Sequence, residues 1–457
     1  MNRPLLVILL LLAQGQAEWR QSSFIIGGWD MPDVSSPAIP ESTCLDRLEQ
    51  VRNAGINVLV ALRDRPPAFT PISSENKRLL SMVSKVSGLK VMVNDWKVLS
   101  ESLHATALYY SGTNAAKGGL SIEERNTLYG YFLRDEPSIA ELPHLLSIQS
   151  ALTAADPEKI SWINLFPYNQ NRDESGNPTS SYFRNWQHYR KYVSNLFTNP
   201  GCRVASFDYY PFWNSGWQIT SAEDKMPYYF RSLQLFAEQA AATGKVFWCF
   251  PLSSDENLYD INKTNIRFTA FAPLVYGAKG IIWYTYATPA YPGARRAMVG
   301  TDSLESKTEI YNWVQATNTR VAKLGAMLLD LHWQGTYHGS VRDFDSHEPL
   351  SVLGDSSCGD PTRTVLPSRR TPLTSISSDR IAVGSFEKHD TTFLLVFNKD
   401  RSASRNAVLA FAKPLSIWRY SEATAQWSLL SGSDGNYKME NIGAADVVFL
   451  RLTQERK

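Results

Sequence analysis

Three ionisable residues stand in a row at Arg134-Asp135-Glu136, between Leu128-Tyr129-Gly130-Tyr131-Phe132-Leu133 and Pro137. Apart from Gly130 the preceding run is aromatic or leucine, which suits a strand covered on both faces. Pro137 cannot continue a sheet and starts a helix well, and Ser138 to Glu141 reads as a helix start. Charges are costly to desolvate, so a fold places them at such a junction only if they are paired or used. Paired, they form a salt-bridge cap. Used, a carboxyl kept protonated by an apolar rim, beside another left ionised, can run general acid–base chemistry. Glu136 is the acid candidate, because an aromatic rim would raise its pKa. Along an extended strand Asp135 and Glu136 point to opposite sides, so at most one should face the centre of the fold. Asp135 is then expected to orient a ligand hydroxyl or to hold Arg134.

Seven further apolar runs read as strands. They are Phe24 to Asp30, Ile56 to Leu62, Leu89 to Val93, Ile160 to Phe166, Val204 to Pro211, Lys245 to Phe250 and Gly280 to Tyr286. Between them lie helical patterns at Cys44 to Asn53, Ser81 to Lys85, Ala140 to Ala154, Tyr189 to Phe197, Tyr228 to Ala242 and Ile266 to Tyr276. A long amphipathic helix follows from about Lys307 to Leu331. Alternating β and α elements argue for a parallel sheet, and eight of them for a closed (β/α)8 TIM barrel over residues 22–331. An open doubly wound sheet is the competitor, but no Gly-rich phosphate loop follows the first strand. In a barrel the strand ends meet on one face, which gathers Asp30, Asp64, Asp95, Asp135, Glu136 and Asp208. Carboxylates at so many strand ends exceed what a cap requires.

After Leu331 helical periodicity stops. Asp355 to Ser368 is a polar stretch rich in Pro, Arg and Ser. Short alternating runs follow at Ile381 to Phe386, Thr392 to Phe397, Ala407 to Phe411, Leu415 to Tyr420 and Val447 to Leu452. They predict a C-terminal antiparallel β-sandwich over residues 335–457, packed against the barrel.

Composition narrows the partners. The net charge is +2, which implies no nucleic acid or other polyanion. Trp and Tyr are abundant, at 13 and 21 residues, and flat rings of this kind stack on the apolar face of a sugar as well as filling cores. Residues 1–17 read as a signal peptide: a basic start at Arg3, an apolar run from Leu5 to Ala13, and small residues up to Ala17. That run is too short to span a bilayer, and no later segment is long and apolar enough, so a secreted or periplasmic protein without a membrane span is expected. Asn262-Lys263-Thr264 is a candidate glycan acceptor in a eukaryotic host. Cys44, Cys202, Cys249 and Cys358 have no metal-like spacing, and Cys202 and Cys249 fall at opposite ends of adjacent strands, so free thiols are expected. His332 and His338 are the closest histidine pair and suit a strand and a loop better than a metal, so neither metal nor cofactor is predicted.

With these elements in place the chain resembles (β/α)8-barrel glycoside hydrolases, clan A above all, whose fourth strand ends in Asn-Glu-Pro with Glu as acid/base. Here the triplet is Asp135-Glu136-Pro137. It also resembles little-characterised barrel proteins with Asp-Glu-Pro on strand four, Asp-Tyr-Tyr-Pro on strand six (Asp208 to Pro211) and Gly-Ala-Lys-Gly entering strand eight (Gly277 to Gly280). The resemblance implies cleavage of O-glycosidic bonds in an oligosaccharide or polysaccharide. One feature departs from the clan, whose nucleophile is a Glu ending strand seven. Here that strand reads Val246 to Pro251 without a carboxylate, and the nearest are Asp255 and Glu256 in the next loop. The second catalytic carboxylate is therefore sought on another strand, and Asp208, stopped by proline among aromatics as Glu136 is, is the candidate. Asp30, Asp95 and Asp135 are expected to bind sugar hydroxyls, with Trp29, Trp96, Tyr209, Trp248, Trp283 and Tyr286 as stacking residues. A non-catalytic carbohydrate-binding barrel is the alternative.

Overall fold

The computed structural model describes residues 19–60, 74–95, 119–168, 171–172, 178–179, 183, 185–212, 222–256, 261–290, 293–300, 306–339, 371–378, 380–433 and 435–454. The leader expected at residues 1–17, and Asp64, Trp96 and Cys358, lie outside the described residues.

Eight parallel strands close into a barrel: β1 Ile25–Gly28, β2 Val58–Leu59, β3 Lys90–Asn94, β4 Leu128–Asp135, β5 Ile160–Leu165, β6 Val204–Asp208, β7 Val246–Phe250 and β8 Gly280–Trp283. Each bonds its neighbour in sequence, and β8 bonds β1 to complete the ring. The helices between them are α1 Glu41–Asn53, α2 Ser74–Ser84, α3 Ile122–Thr127, α4 Leu142–Ala155, α5 Trp186–Thr198, α6 Ala222–Thr243 and α7 Lys263–Val275, with α8 Glu309–Leu328 after β8. The short α3 escapes the periodicity reading because it has fewer than two turns. A capping box holds it, with Ser121 accepting from the Glu124 N–H and Glu124 accepting from the Ser121 N–H.

Alternation divides each strand between two cores. Val204 of β6, Trp248 and Phe250 of β7 and Ile282 of β8 point into the barrel, where they meet Ile25, Val58, Phe132 and Trp162. Ala205, Phe207, Phe247, Cys249, Ile281 and Trp283 point outward to the helices. The interior is therefore filled by side chains and is no pore. At the N-terminal pole lysines preceding or opening strands cap open helix ends. Lys90 Nζ donates to the Asn126 carbonyl at 2.6 Å, Lys245 Nζ to Phe197 at 2.6 Å and Lys279 Nζ to Leu328, the last residue of α8. Cys44, Cys202 and Cys249 are buried free thiols.

The C-terminal strands are β9 His332–His338, β10 Leu373–Ile376, β11 Ile381–Lys388, β12 Thr391–Asn398, β13 Arg405–Phe411, β14 Leu415–Ser421, β15 Gln426–Ser433, β16 Asn436–Ile442 and β17 Val447–Gln454. They form a six-stranded sheet, β9-β11-β12-β17-β14-β15, and a three-stranded one, β10-β13-β16. Leu394 and Val396 of β12 enter the core between the two sheets. Leu395 and Phe397 enter the core shared with the barrel, where the Phe397 ring lies 5.1 Å from Phe268 of α7. Arg320 of α8 adds ion pairs to Glu422 and Asp446. Four strands, β9, β10, β15 and β16, were not foreseen. Each lies at the edge of its sheet, β9 and β15 in the sheet of six and β10 and β16 in the sheet of three, where a solvated face interrupts the apolar alternation. Among the described residues no helix is long and apolar enough to cross a membrane.

Candidate active site

Strand parity positions the first two groups. Val204 and Ser206 point inward on β6, so Asp208 faces the barrel axis at its end. Ile160 and Trp162 do so on β5, which brings Asn164 beside it. Asn164 Nδ2 donates to Asp208 Oδ1 at 3.1 Å and to Asp135 Oδ1 at 2.9 Å.

β4 does not follow simple alternation. Its register against β5 pairs Phe132 with Trp162, then Arg134 with Ile163 and Asp135 with Asn164. The extra residue is a bulge, so Phe132 and Asp135 both face inward although three positions apart. Glu136 follows with φ of 45°, in the left-handed region, while its N–H still bonds the Asn164 carbonyl at 2.9 Å. For a non-glycine residue before proline this backbone is costly. It turns the Glu136 side chain back into the cluster, where its carboxyl hydrogen-bonds to Asp208. The expectation that only one of Asp135 and Glu136 faces the axis is thus corrected: bulge and left-handed turn together aim both inward. Arg134 points away, exposed and paired with Glu141 at 3.1 Å. Gly130, earlier on β4, is required by close approach, since a Cβ there would collide with the Ile160 carbonyl.

Three carboxyls in one half-buried cluster cannot all be ionised at no cost. Burial, then the charges of Asp208 and Asp135, push Glu136 up to about 10. Burial and the charge of Asp135 push Asp208 up to about 7, against hydrogen bonds from Asn164, its own backbone and Glu136. Asp135 is raised by burial, opposed by Asn164 and by the charge of Arg134. Of the three carboxyls Glu136 therefore keeps its proton to the highest pH, and it donates to Asp208.

Around the cluster, Trp29 lies at the mouth with its ring 5.2 Å from Phe132 and 5.7 Å from Phe250. Asp30 follows β1 with φ of 51°, a second carboxylate residue in the left-handed region at a strand end. Asp95 is buried just after β3. Four of the expected stacking residues are not at the mouth. Trp248 is enclosed in the barrel interior and donates to Gln21 Oε1 at 3.0 Å. Trp283 points outward to α8 and donates to Asn318 Oδ1 at 2.8 Å. Tyr209 and Tyr286 are buried in the same outer core. The inward parity that carries Asp208 selects Tyr210 rather than Tyr209, and that of Ile282 selects Tyr284 rather than Trp283. The Tyr210 and Tyr284 rings lie 5.4 Å apart against the barrel interior. Counting in twos from Val204 and from Ile282 would have found both, and counting from Ile160 would have found Asn164. The carboxylate nearest β7 is already engaged: Asp255 is buried, paired with Arg296, and accepts from the Ile261 N–H at 2.6 Å.

No protein-family model matches this chain, and no curated protein does. Solved structures do. A GH42 β-galactosidase from G. stearothermophilus, solved as a catalytic mutant, aligns with a TM-score of 0.55 at 9% identity over 95% of this chain and 100% of that one. A β-galactosidase from Bacillus circulans sp. alkalophilus aligns with a TM-score of 0.55 at 8% identity over 94% and 99%. At such identities what is shared is the fold, a closed (β/α)8 barrel followed by antiparallel β-sheets.

Proposed function

We propose that this chain is an exported glycoside hydrolase in which Glu136 is the acid and Asp208 the ionised partner. The observation that carries the reading is the hydrogen-bonded Glu136–Asp208 pair at the ends of β4 and β6, with Glu136 the carboxyl that keeps its proton to the higher pH. Breaking a glycosidic bond needs this division: one carboxyl gives a proton to the leaving oxygen, and one carboxylate attacks the anomeric carbon or takes a proton from the attacking water. Attack calls for a separation of ~5.5 Å and activation of water for ~6.5–9.5 Å. Directly bonded carboxyls are closer than either, so the bound substrate parts them, its glycosidic oxygen replacing Asp208 as acceptor of the Glu136 proton. Asp135, Asp30 and Asp95 then serve sugar hydroxyls, and Trp29 offers a face for stacking. The shared fold with two β-galactosidases supports a sugar substrate, and the apolar run from Leu5 to Ala13 supports export.

A second reading, a non-catalytic carbohydrate-binding barrel, rests on one observation: β7 ends in Phe250-Pro251, and Asp255 beyond it is held by Arg296. A panel of aryl glycosides and plant and microbial polysaccharides separates the two. Hydrolysis of any panel member that disappears in Glu136→Gln supports the enzyme. Saturable binding without turnover across the panel supports the binding protein. The anomer released first, read by proton NMR, assigns Asp208 as nucleophile or base.

A further inference from the structure

A chain of hydrogen bonds runs from the barrel core to the carboxylates. Trp162 Nε1 donates to Ser206 Oγ at 2.9 Å, Ser206 Oγ donates to Asn164 Oδ1 at 2.7 Å, and Asn164 Nδ2 donates to Asp135 and Asp208. Trp162, Ser206 and Asn164 are all buried. We propose that Asn164 is a positioning residue whose amide, oriented by Trp162 through Ser206, holds Asp135 and Asp208 together as anions and so leaves the site's one proton to Glu136.

The direction of the chain follows from donor inventories. An indole N–H can only donate, so it occupies a lone pair of the Ser206 oxygen and turns the hydroxyl hydrogen elsewhere. The acceptor it meets is Asn164 Oδ1, which commits that oxygen and leaves the NH2 group facing the carboxylates. With two N–H donors and two carboxylates, one hydrogen can go to each. Rotated by half a turn, the amide would present its oxygen to two anions and its NH2 to a hydroxyl, a repulsive arrangement in a poorly solvated site. The Asn164 carbonyl meanwhile takes the Glu136 N–H, so this residue contacts all three members of the acidic cluster. Sequence motifs centred on Asp-Glu-Pro do not reveal it, since its partners lie on two other strands, β4 and β6.

The catalytic meaning of this arrangement rests on the function proposed above, but its test needs no substrate. Asp208 faces Asp135 and Glu136 from β4 and Tyr210 beyond the end of its own strand, and its charge is also felt by Cys249 of β7 and by Tyr189 and Tyr192 of α5, in the outer core. Burial raises the tyrosines and the thiol, so they stay neutral over the range in which the carboxyls titrate. The full mature chain is labelled with 13C at Asp and Glu carboxyls, and the titration of Asp208, assigned by its loss in Asp208→Asn, is followed by NMR. In Asn164→Leu its midpoint is expected to rise by at least about one pH unit, a tenfold change in acid dissociation. In Ser206→Ala, which keeps Asn164 but frees its amide to turn, the rise is smaller and in the same direction. Should Asn164→Leu fail to fold, Ser206→Ala decides alone. An unchanged midpoint in the folded variants overturns the proposal, as does a fall. A raised midpoint in a protein that hydrolyses no glycoside sustains the relay and defeats only the enzyme reading.

Discussion

Glu136, leaving β4 in a left-handed turn, and Asp208, ending β6, are joined by a hydrogen bond although β5 lies between their strands. The contact spans the gap because Asn164 on β5 reaches toward the same point and takes Asp208 and Asp135 on its amide.

Replacing Glu136 by Gln keeps the shape and removes the acidic proton. Turnover is expected to fall on the order of 10²–10⁴-fold, with substrate affinity kept. Steady-state kinetics with binding calorimetry on the same substrate check this. Activity within a few-fold of wild type would remove Glu136 from the mechanism.

Asp208→Asn should be about as damaging as Glu136→Gln. If Asp208 attacks the anomeric carbon, azide added to Asp208→Ala restores part of the turnover and yields a glycosyl azide of inverted configuration. A rise in KM with kcat intact would mean that Asp208 only binds.

Stability should fall as pH rises. Asp208 moves from an ordinary value of 3.8 to about 7 and Glu136 from 4.5 to about 10 on folding, so in those windows the folded chain holds protons that the unfolded chain has lost. The favourable contribution is full below about pH 4 and is lost as pH climbs through 7 toward 10. Urea midpoints at a series of pH values read this directly. In Glu136→Gln the decline between 7 and 10 should flatten, and a wild-type-like decline there would assign it to other groups.

The left-handed backbone at position 136 can be isolated from the charge. Glu136→Ala and Glu136→Gly both remove the carboxyl, but only glycine relieves φ of 45°. The glycine variant is expected to be more stable than the alanine variant by about 1 kcal/mol, the reverse of their order in an ordinary strand. Equal denaturation midpoints would show that the turn carries no strain.

Trp283 and Trp29 should separate core from mouth. Trp283→Phe removes a buried donor from Asn318 and should cost about 1–3 kcal/mol of stability without changing KM. Trp29→Ala should weaken substrate binding. A KM effect confined to Trp283→Phe would return that residue to the site.

The order of strands and helices was legible in the sequence because period 2 and period 3.6 are local properties, and burial imposes them on each element separately. Eight such units close into a barrel, and a barrel's strand ends converge, so Asp135, Glu136 and Asp208 could be grouped before any coordinate was known. Side-chain direction was less accessible. It depends on counting parity from a known inward residue, and aromatic residues suit both faces, which is how Tyr209 and Trp283 displaced Tyr210 and Tyr284. Only the tertiary structure decided the arrangement at the end of β4. A bulge is defined by register against another strand, and the turn of Glu136 persists because Pro137 and the Asn164 carbonyl hold the backbone on either side. The proton's place is likewise a property of three carboxyls and one amide from three strands. It depends on distances between residues far apart in the chain, which no local pattern encodes.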